Sequence, residues 1–295
     1  MQIFLKIRHL SEAFVAYAII GLFRGLGLRL GGHVAAGLMR CLGPLSRVQT
    51  VLMDNLSRAF PKKNQTEIRE LARQCWDNAG RTFSEYANLD KLKRYHKRHI
   101  TIEGASLAQA AAEQGRGLII VSGHIGNWES MSMAINLIGL DAAGIYRHAN
   151  NPIMNKWMIA KRQASVIPEQ FPKGAKGAKL LIKKLKAGGT ICMLVDQKMN
   201  DGVEAVLFGR KAMTASAAAS MARRYNVPLM LVTNERTNGC NFNVRFHEAF
   251  EADKTDDVSK DIQTTTQKIN DLLEDAIRKN PAQWLWMHNR WSDTT

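Results

Sequence analysis

Residues 115–130 read GRGLIIVSGHIGNWES. The apolar run Leu118–Val121 has the length and unbroken hydrophobicity of a strand buried on both faces, and Ser122-Gly123 ends it. His124 and Glu129 follow, with four residues between them. On one continuous helix, positions five apart lie about 140° apart around the axis, so these side chains would diverge. They can cooperate only if His124 precedes the helix. Gly123 and Gly126 permit a sharp turn there, and Asn127 is a favourable N-cap for a helix opening at Trp128. His124 is then expected at the carboxyl end of a strand. Glu129, in the first helical turn, can reach back to it. In open α/β sheets that edge is where ligands bind.

The rest of the chain agrees with this setting. Ala143–Tyr146, Ile191–Val195 and Pro228–Val232 are further short apolar runs separated by helical stretches, and Phe242–Phe250 alternates like an edge strand. Continuous runs of this kind predict a mainly parallel central sheet flanked by helices, an α/β fold. Residues 64–89 read as an amphipathic helix with Ile68, Leu71, Ala72, Cys75, Trp76, Ala79 and Phe83 on one face, opened by an Asn64/Glu67 capping box. A late helix carries Val258, Ile262, Thr265, Ile269, Leu272, Leu273 and Ile277 on one stripe. No internal repeat or low-complexity segment interrupts this order.

The chemistry follows from the pair. A neutral imidazole can take a proton from an alcohol, and a carboxylate on its other nitrogen fixes the tautomer and stabilises the imidazolium. Ser122 is near, but VSGHIG is not a G-x-S-x-G nucleophile elbow. The substrate hydroxyl is therefore the expected nucleophile, attacking an activated acyl donor directly, with N–H groups at the helix start available to an oxyanion. The bland alternative is a structural histidine beside a glutamate that merely favours the helix dipole. H-x-x-x-x-E alone is a weak pattern, and the strand–Gly–His–Gly–Asn context strengthens it.

The net charge is +15 over 295 residues, which points to nucleic acid, an anionic membrane surface or an acidic protein as partner. No C₂H₂, KH or RRM signature is present, so nucleic acid is not expected. The stretch KGAKGAKLLIKKLK, 173–186, holds six lysines and no acid; it suits an acidic protein or anionic headgroups, against the bland alternative of a solvated helix face. Near the N-terminus, Ala13–Phe23 is apolar but short of the roughly 20 residues that span a bilayer. With Arg24, Arg29 and Arg40 following, a helix lying in the interface fits best, and an ordinary buried helix is the alternative. No standard signal peptide is recognised. Cys41, Cys75, Cys192 and Cys240 are scattered without a C-x-x-C pair, as in a reduced, cytoplasm-facing protein, and no metal site is expected.

Several stretches, in order, carry a resemblance: NLSRAFP (55–61), HIGNWE (124–129), YRHANNP (146–152), DQ (196–197), FGRKAMTASAAASMARRYNVPL (208–229) and WLWMHNRW (284–291). With them, nearly the whole chain resembles the lauroyl/myristoyl acyltransferases of bacterial lipid A biosynthesis, within the lysophospholipid-acyltransferase superfamily. The resemblance implies His124 and Glu129 as the catalytic pair. It implies substrate contacts at Arg147, Asp196, Gln197 and Arg290, with Asn127 among them. It further implies transfer of a fatty acyl chain from acyl carrier protein to a hydroxyl of a lipid A precursor at the cytoplasmic face of the inner membrane. No cofactor is expected beyond the acyl thioester co-substrate. Residues 1–43 would be a membrane-associating helical segment and 44–295 the catalytic domain. Residue logic supports part of this: Arg147 and Asp196 each end an apolar run, which places both at the sheet's carboxyl edge, and a guanidinium there can clamp a phosphate. The alternatives are an acyltransferase acting on another glycolipid, such as a phosphatidylinositol mannoside, or a basic membrane- or nucleic-acid-binding protein without catalysis.

Overall fold

The computed structural model describes residues 2–291, with side chains from Phe4 onward. The chain opens with α1 (Gln2–Leu42), which Gly27 interrupts with a non-helical φ of 73°. Pro44 stands in the short 3₁₀ turn Gly43–Leu45 that ends it. There follow α2 (Val48–Ala59), α3 (Gln65–Ala87), α4 (Leu89–Arg94) and α5 (His96–His99). The predicted Asn64/Glu67 capping box is present at the start of α3. Its predicted apolar face is buried through Ala79, but Phe83 points outward and is 67% exposed. In the last turns of α3 the buried side is taken instead by Thr82, Ser84 and Glu85; the Thr82 hydroxyl donates to the Gly126 carbonyl at 3.1 Å and Glu85 pairs with Arg236.

The remaining chain alternates strand and helix. In order these are β1 (Ile100–Glu103), α6 (Ala105–Glu113), β2 (Leu118–Ser122), α7 (Trp128–Leu137), β3 (Ala142–Tyr146), α8 (Pro152–Ser165), β4 (Glu169–Pro172), α9 (Ala175–Lys186) and β5 (Thr190–Leu194). A hairpin of β6 (Lys198–Leu207) and β7 (Arg210–Thr214) follows. Then come α10 (Ala217–Tyr225), β8 (Leu229–Asn238), β9 (Asn241–Phe250) and α11 (Val258–Lys279). The seven-stranded sheet has the order β1-β9-β8-β2-β5-β3-β4. All neighbours are parallel except β8 and β9, which form an antiparallel hairpin. The fold is thus α/β with a mostly parallel sheet. β9, expected at an edge, lies inside the sheet because β1 adds beyond it. β1 and β4, each only four residues long, and the β6–β7 hairpin are additional to the strands expected from the sequence.

Two cores follow from strand alternation. Leu118 and Ile120 of β2 pack with Leu92 of α4, Ala108 of α6 and Met131 and Ala134 of α7. Ile119 and Val121 pack on the opposite face with Leu181 and Leu185 of α9, Ala218 of α10 and Ile269 and Leu273 of α11. The sheet is therefore the middle of three layers. The part of α1 near Phe23, Ala35 and Ala36 is buried and packs on α3 and its end. Further toward the N-terminus, Phe4, Leu10, Phe14, Val15, Ile19 and Leu22 are exposed. By length and composition, α1 and the turn after it (Phe4–Leu45) are apolar enough to cross a membrane, a longer segment than Ala13–Phe23 suggested.

Candidate active site

β2 and β5 are paired in register, with Ser122 opposite Leu194. Two residues on from each, His124 and Asp196 meet at the carboxyl edge. Oδ1 of Asp196 accepts a hydrogen bond from the His124 ring at Nδ1, 2.8 Å away, and Oδ2 accepts from the His124 backbone N–H at 2.7 Å. The indole Nε1–H of Trp284 also donates to Oδ2, at 2.7 Å. Gly123 makes this approach possible, because a Cβ there would lie 3.1 Å from Oδ2. Gly126 then turns the chain with φ +60°, and Asn127 caps α7 through Oδ1, which accepts from the Glu129 N–H at 3.0 Å.

The expected carboxylate on the histidine ring is present, but it is Asp196's and not Glu129's. Glu129, only 3% exposed, turns its carboxylate to Arg162 of α8, whose Nε donates to both oxygens at 2.9 and 3.2 Å. Burial alone would push the Asp196 carboxyl up; the His124 ring and amide and the Trp284 indole outweigh it and hold it at about 2. An ionised carboxylate only accepts, so Nδ1 of His124 carries the proton and Nε2 is left basic. Burial lowers the His124 pKa, but Asp196 by contact and Glu129 through space more than offset this, so it stands above the ordinary histidine value. With 17% of its side chain exposed and its ring edge against Trp128 at 5.0 Å between centroids, the imidazole is held rigidly but remains reachable.

A buttress behind this pair explains several of the motifs that sequence alone singled out. The His124 carbonyl accepts from the Leu285 N–H at 3.0 Å, Gly126 N–H donates to the Gln283 carbonyl at 2.9 Å, and Ile125 bridges Trp284. Asn55 Nδ2 donates to the carbonyls of Trp286 and His288, each at 2.7 Å. Phe60, Phe208 and Trp286 pack at steep interplanar angles, with ring centroids within 5.7 Å of one another. Pieces of NLSRAFP, FGRKAMT and WLWMHNRW thus form one aromatic block whose Trp284 orients Asp196.

The other expected site residues divide. Asn127 is buried and fully occupied: besides its cap, Nδ2 donates to Glu85 and its carbonyl accepts from Asn234. Arg147 is exposed at the end of β3, on the same edge as His124 but two strands away, since β5 lies between. Gln197 is exposed next to Asp196. Arg290 is not a surface contact. It is 1% exposed, and its guanidinium donates to the Met213 carbonyl at 3.0 Å and the Thr214 hydroxyl at 2.7 Å. Burial lowers its pKa to about 10, although Asp196 opposes the shift. Arg162 and Trp284 were given no role by sequence reasoning. Trp284 lay within a recognised motif; Arg162 stood in an ordinary helix with no local signal.

A narrow slot of about 50 Å³ opens beside Glu129 and Arg162, walled by Trp128, Ile145, Met193 and Leu194. A larger cavity of about 210 Å³ lies behind the His124 loop, where α1 and α3 meet Gln283. Its arginines are each tied to an acid, Arg40 to Asp77, Arg73 to Glu70 and Arg236 to Glu85, so the candidate chemistry stays with the His124 edge.

A sequence model of the family described as bacterial lipid A biosynthesis acyltransferase matches residues 2–293. The chain belongs to that family. As a member it is an acyltransferase enzyme of lipid A, and hence lipopolysaccharide, biosynthesis. Comparison with curated proteins gives no match. Among solved structures the chain is similar to the crystal structure of the 1-acyl-sn-glycerophosphate (LPA) acyltransferase, PlsC, from Thermotoga maritima. The two are 14% identical with a TM-score of 0.39, over 85% of this chain and 98% of that one.

Proposed function

We propose that the protein moves a fatty acyl chain from an acyl carrier protein thioester to a hydroxyl of a lipid A precursor, with His124 as general base. The observation that carries this reading is the Asp196–His124 contact, which keeps the proton on Nδ1 and leaves Nε2 basic. Nε2 takes the proton of the acceptor hydroxyl as its oxygen attacks the thioester carbonyl. The tetrahedral intermediate collapses, the C–S bond breaks, and the imidazolium returns the proton to the departing thiolate. No covalent enzyme intermediate forms. Asp196 stabilises the imidazolium by direct contact and Glu129 through space. The positive end of α7 lies beside the reacting carbonyl, where it favours an oxyanion. Arg147 and Gln197, exposed on the same edge, contact substrate, Arg147 through a phosphate. The exposed apolar face of α1 seats the enzyme on the cytoplasmic face of the inner membrane.

The test is a transfer assay with purified full-length enzyme, acyl carrier protein thioesters of several lengths and a tetra-acylated lipid A precursor, with products read by mass spectrometry. One added acyl chain with wild type, reduced by about two to four decades in His124→Ala, is expected for a lost general base. Near-normal turnover in His124→Ala overturns the assignment of the base. Transfer confined to a different lipid overturns the acceptor.

A further inference from the structure

We propose that the exposed lysine face of α9 is a docking surface for a small acidic protein, the carrier that presents the acyl thioester. This rests on the carrier-thioester reading given above and locates the encounter. Lys176, Lys179 and Lys183 lie three and four residues apart, on one stripe of the helix, and are exposed. Lys186 extends the stripe over the ring of Tyr225. No hydrogen bond or ion pair joins Lys176, Lys179 or Lys183 to another side chain among the described residues. The nearby acids are already taken: Asp141 and Glu169 both pair with Lys184, which points inward from the same helix. Like charges at this spacing disfavour a helix, so the row costs stability that a partner of opposite charge would restore.

Two features favour a soluble acidic protein over a lipid surface. A helix that binds a bilayer inserts its apolar face, whereas Leu181 and Leu185 of α9 are buried in the core against the sheet. Most of the exposed large apolar residues belong to α1, whose Leu28 packs with the opposite face of the sheet. The position suits delivery as well. α9 follows β4, so it begins at the carboxyl edge that holds His124. There the Lys173 N–H donates to the Tyr146 carbonyl at 2.8 Å. The lysine row starts at the reacting edge and runs away from it along the protein's flank.

The experiment compares full-length wild type with the triple variant Lys176→Glu/Lys179→Glu/Lys183→Glu, using the acyl carrier thioester and the small acyl-pantetheine thioester as donors. Removing a steering charge patch weakens encounter more than chemistry. The expected result is therefore KM for the carrier thioester raised about tenfold or more, kcat little changed, and kinetics with acyl-pantetheine unchanged. The unchanged small-donor kinetics report that the variant is folded. Wild-type KM for the carrier should also climb with salt, and the variant's should not. Equal carrier KM in the two proteins overturns the proposal. So does a variant that loses binding to phosphatidylglycerol vesicles while keeping its carrier KM, which would make the face a headgroup contact. A wild type that turns over coenzyme A thioesters but not the carrier thioester removes the donor reading itself, and the docking surface with it.

Discussion

Asp196 holds His124 by both ends, its Oδ1 on the ring Nδ1 at 2.8 Å and its Oδ2 on the backbone N–H at 2.7 Å. One carboxylate thus sets the tautomer of the imidazole and the position of the loop that carries it. Asp196→Asn should lower kcat by roughly three to four decades, the scale of losing the correct tautomer, while circular dichroism stays native. A variant within tenfold of wild type would sever Asp196 from the base.

The same contact predicts a pH profile. Asp196 and Glu129 raise the His124 pKa above its ordinary 6.5, and the base works only when neutral. The acid limb of kcat/KM should therefore have its midpoint above 6.5, and Asp196→Asn should move it down. For stability the sign differs between partners. His124's share is full below its unfolded pKa and is lost as pH rises through the folded one. Asp196, held at about 2 against an ordinary 3.8, contributes above its ordinary value and loses this as pH falls through the folded one. Thermal melts from pH 2 to 8 check both limbs.

Glu129 and Arg162 form a buried pair that joins α7 to α8. Breaking such a pair leaves an uncompensated charge and costs about 3–5 kcal/mol, so Glu129→Gln alone should lower Tm markedly. Glu129→Gln/Arg162→Gln should regain much of that stability without regaining full activity, because Glu129's support of the imidazolium, larger than the opposing effect of Arg162, is gone. Full activity in the double variant would reduce Glu129 to a structural anchor.

Trp284→Phe preserves an aromatic ring in the block with Trp286 and Phe208 but removes the donor to Asp196 Oδ2. A hydrogen bond to a charged group contributes about 1.5–3 kcal/mol. If that much reaches the transition state, kcat falls by about one to two decades. Unchanged kcat would leave Trp284 a packing residue.

Arg147 stands two strands from His124 and is solvent-exposed. Arg147→Ala should therefore raise KM for a phosphorylated acceptor by about one to two decades and spare kcat, with Arg147→Lys intermediate because it keeps the charge and loses the planar fork. An equal loss on acceptors with and without the phosphate would refute the phosphate contact.

Phe4, Leu10 and Phe14 are exposed on the outer part of α1, while Phe23, Ala35 and Ala36 are buried within the fold. Replacing Phe4, Leu10 and Phe14 by serine should release enzyme from membranes without unfolding it. Each fully buried side chain of this kind is worth about 1.5–3 kcal/mol, so membrane partition should fall by about three decades or more at about 1.4 kcal/mol per decade. Retention of the variant on membranes at high salt would move the attachment elsewhere.

Much of what a short window of residues decides was legible in the sequence, although the four-residue strands β1 and β4 and the β6–β7 hairpin were not. The run Leu118–Val121, the turn at Gly123 and Gly126, the Asn127 cap and the Asn64/Glu67 capping box are local, because strand runs, glycine turns and caps depend on residues within a few positions of one another. His124 could therefore be placed at a strand end before its surroundings were known. Only the tertiary structure decided which carboxylate holds it. The crossover that sets β5 beside β2 brings Asp196 to a residue 72 positions earlier, and the path of α8 delivers Arg162 to Glu129. Folding likewise turned Arg290 inward onto β7, swung Phe83 out of α3's buried face and put β9 inside the sheet. A side chain's type limits which partners it can satisfy. Strand order and helix packing, settled by burying the two faces of one sheet at once, choose among them.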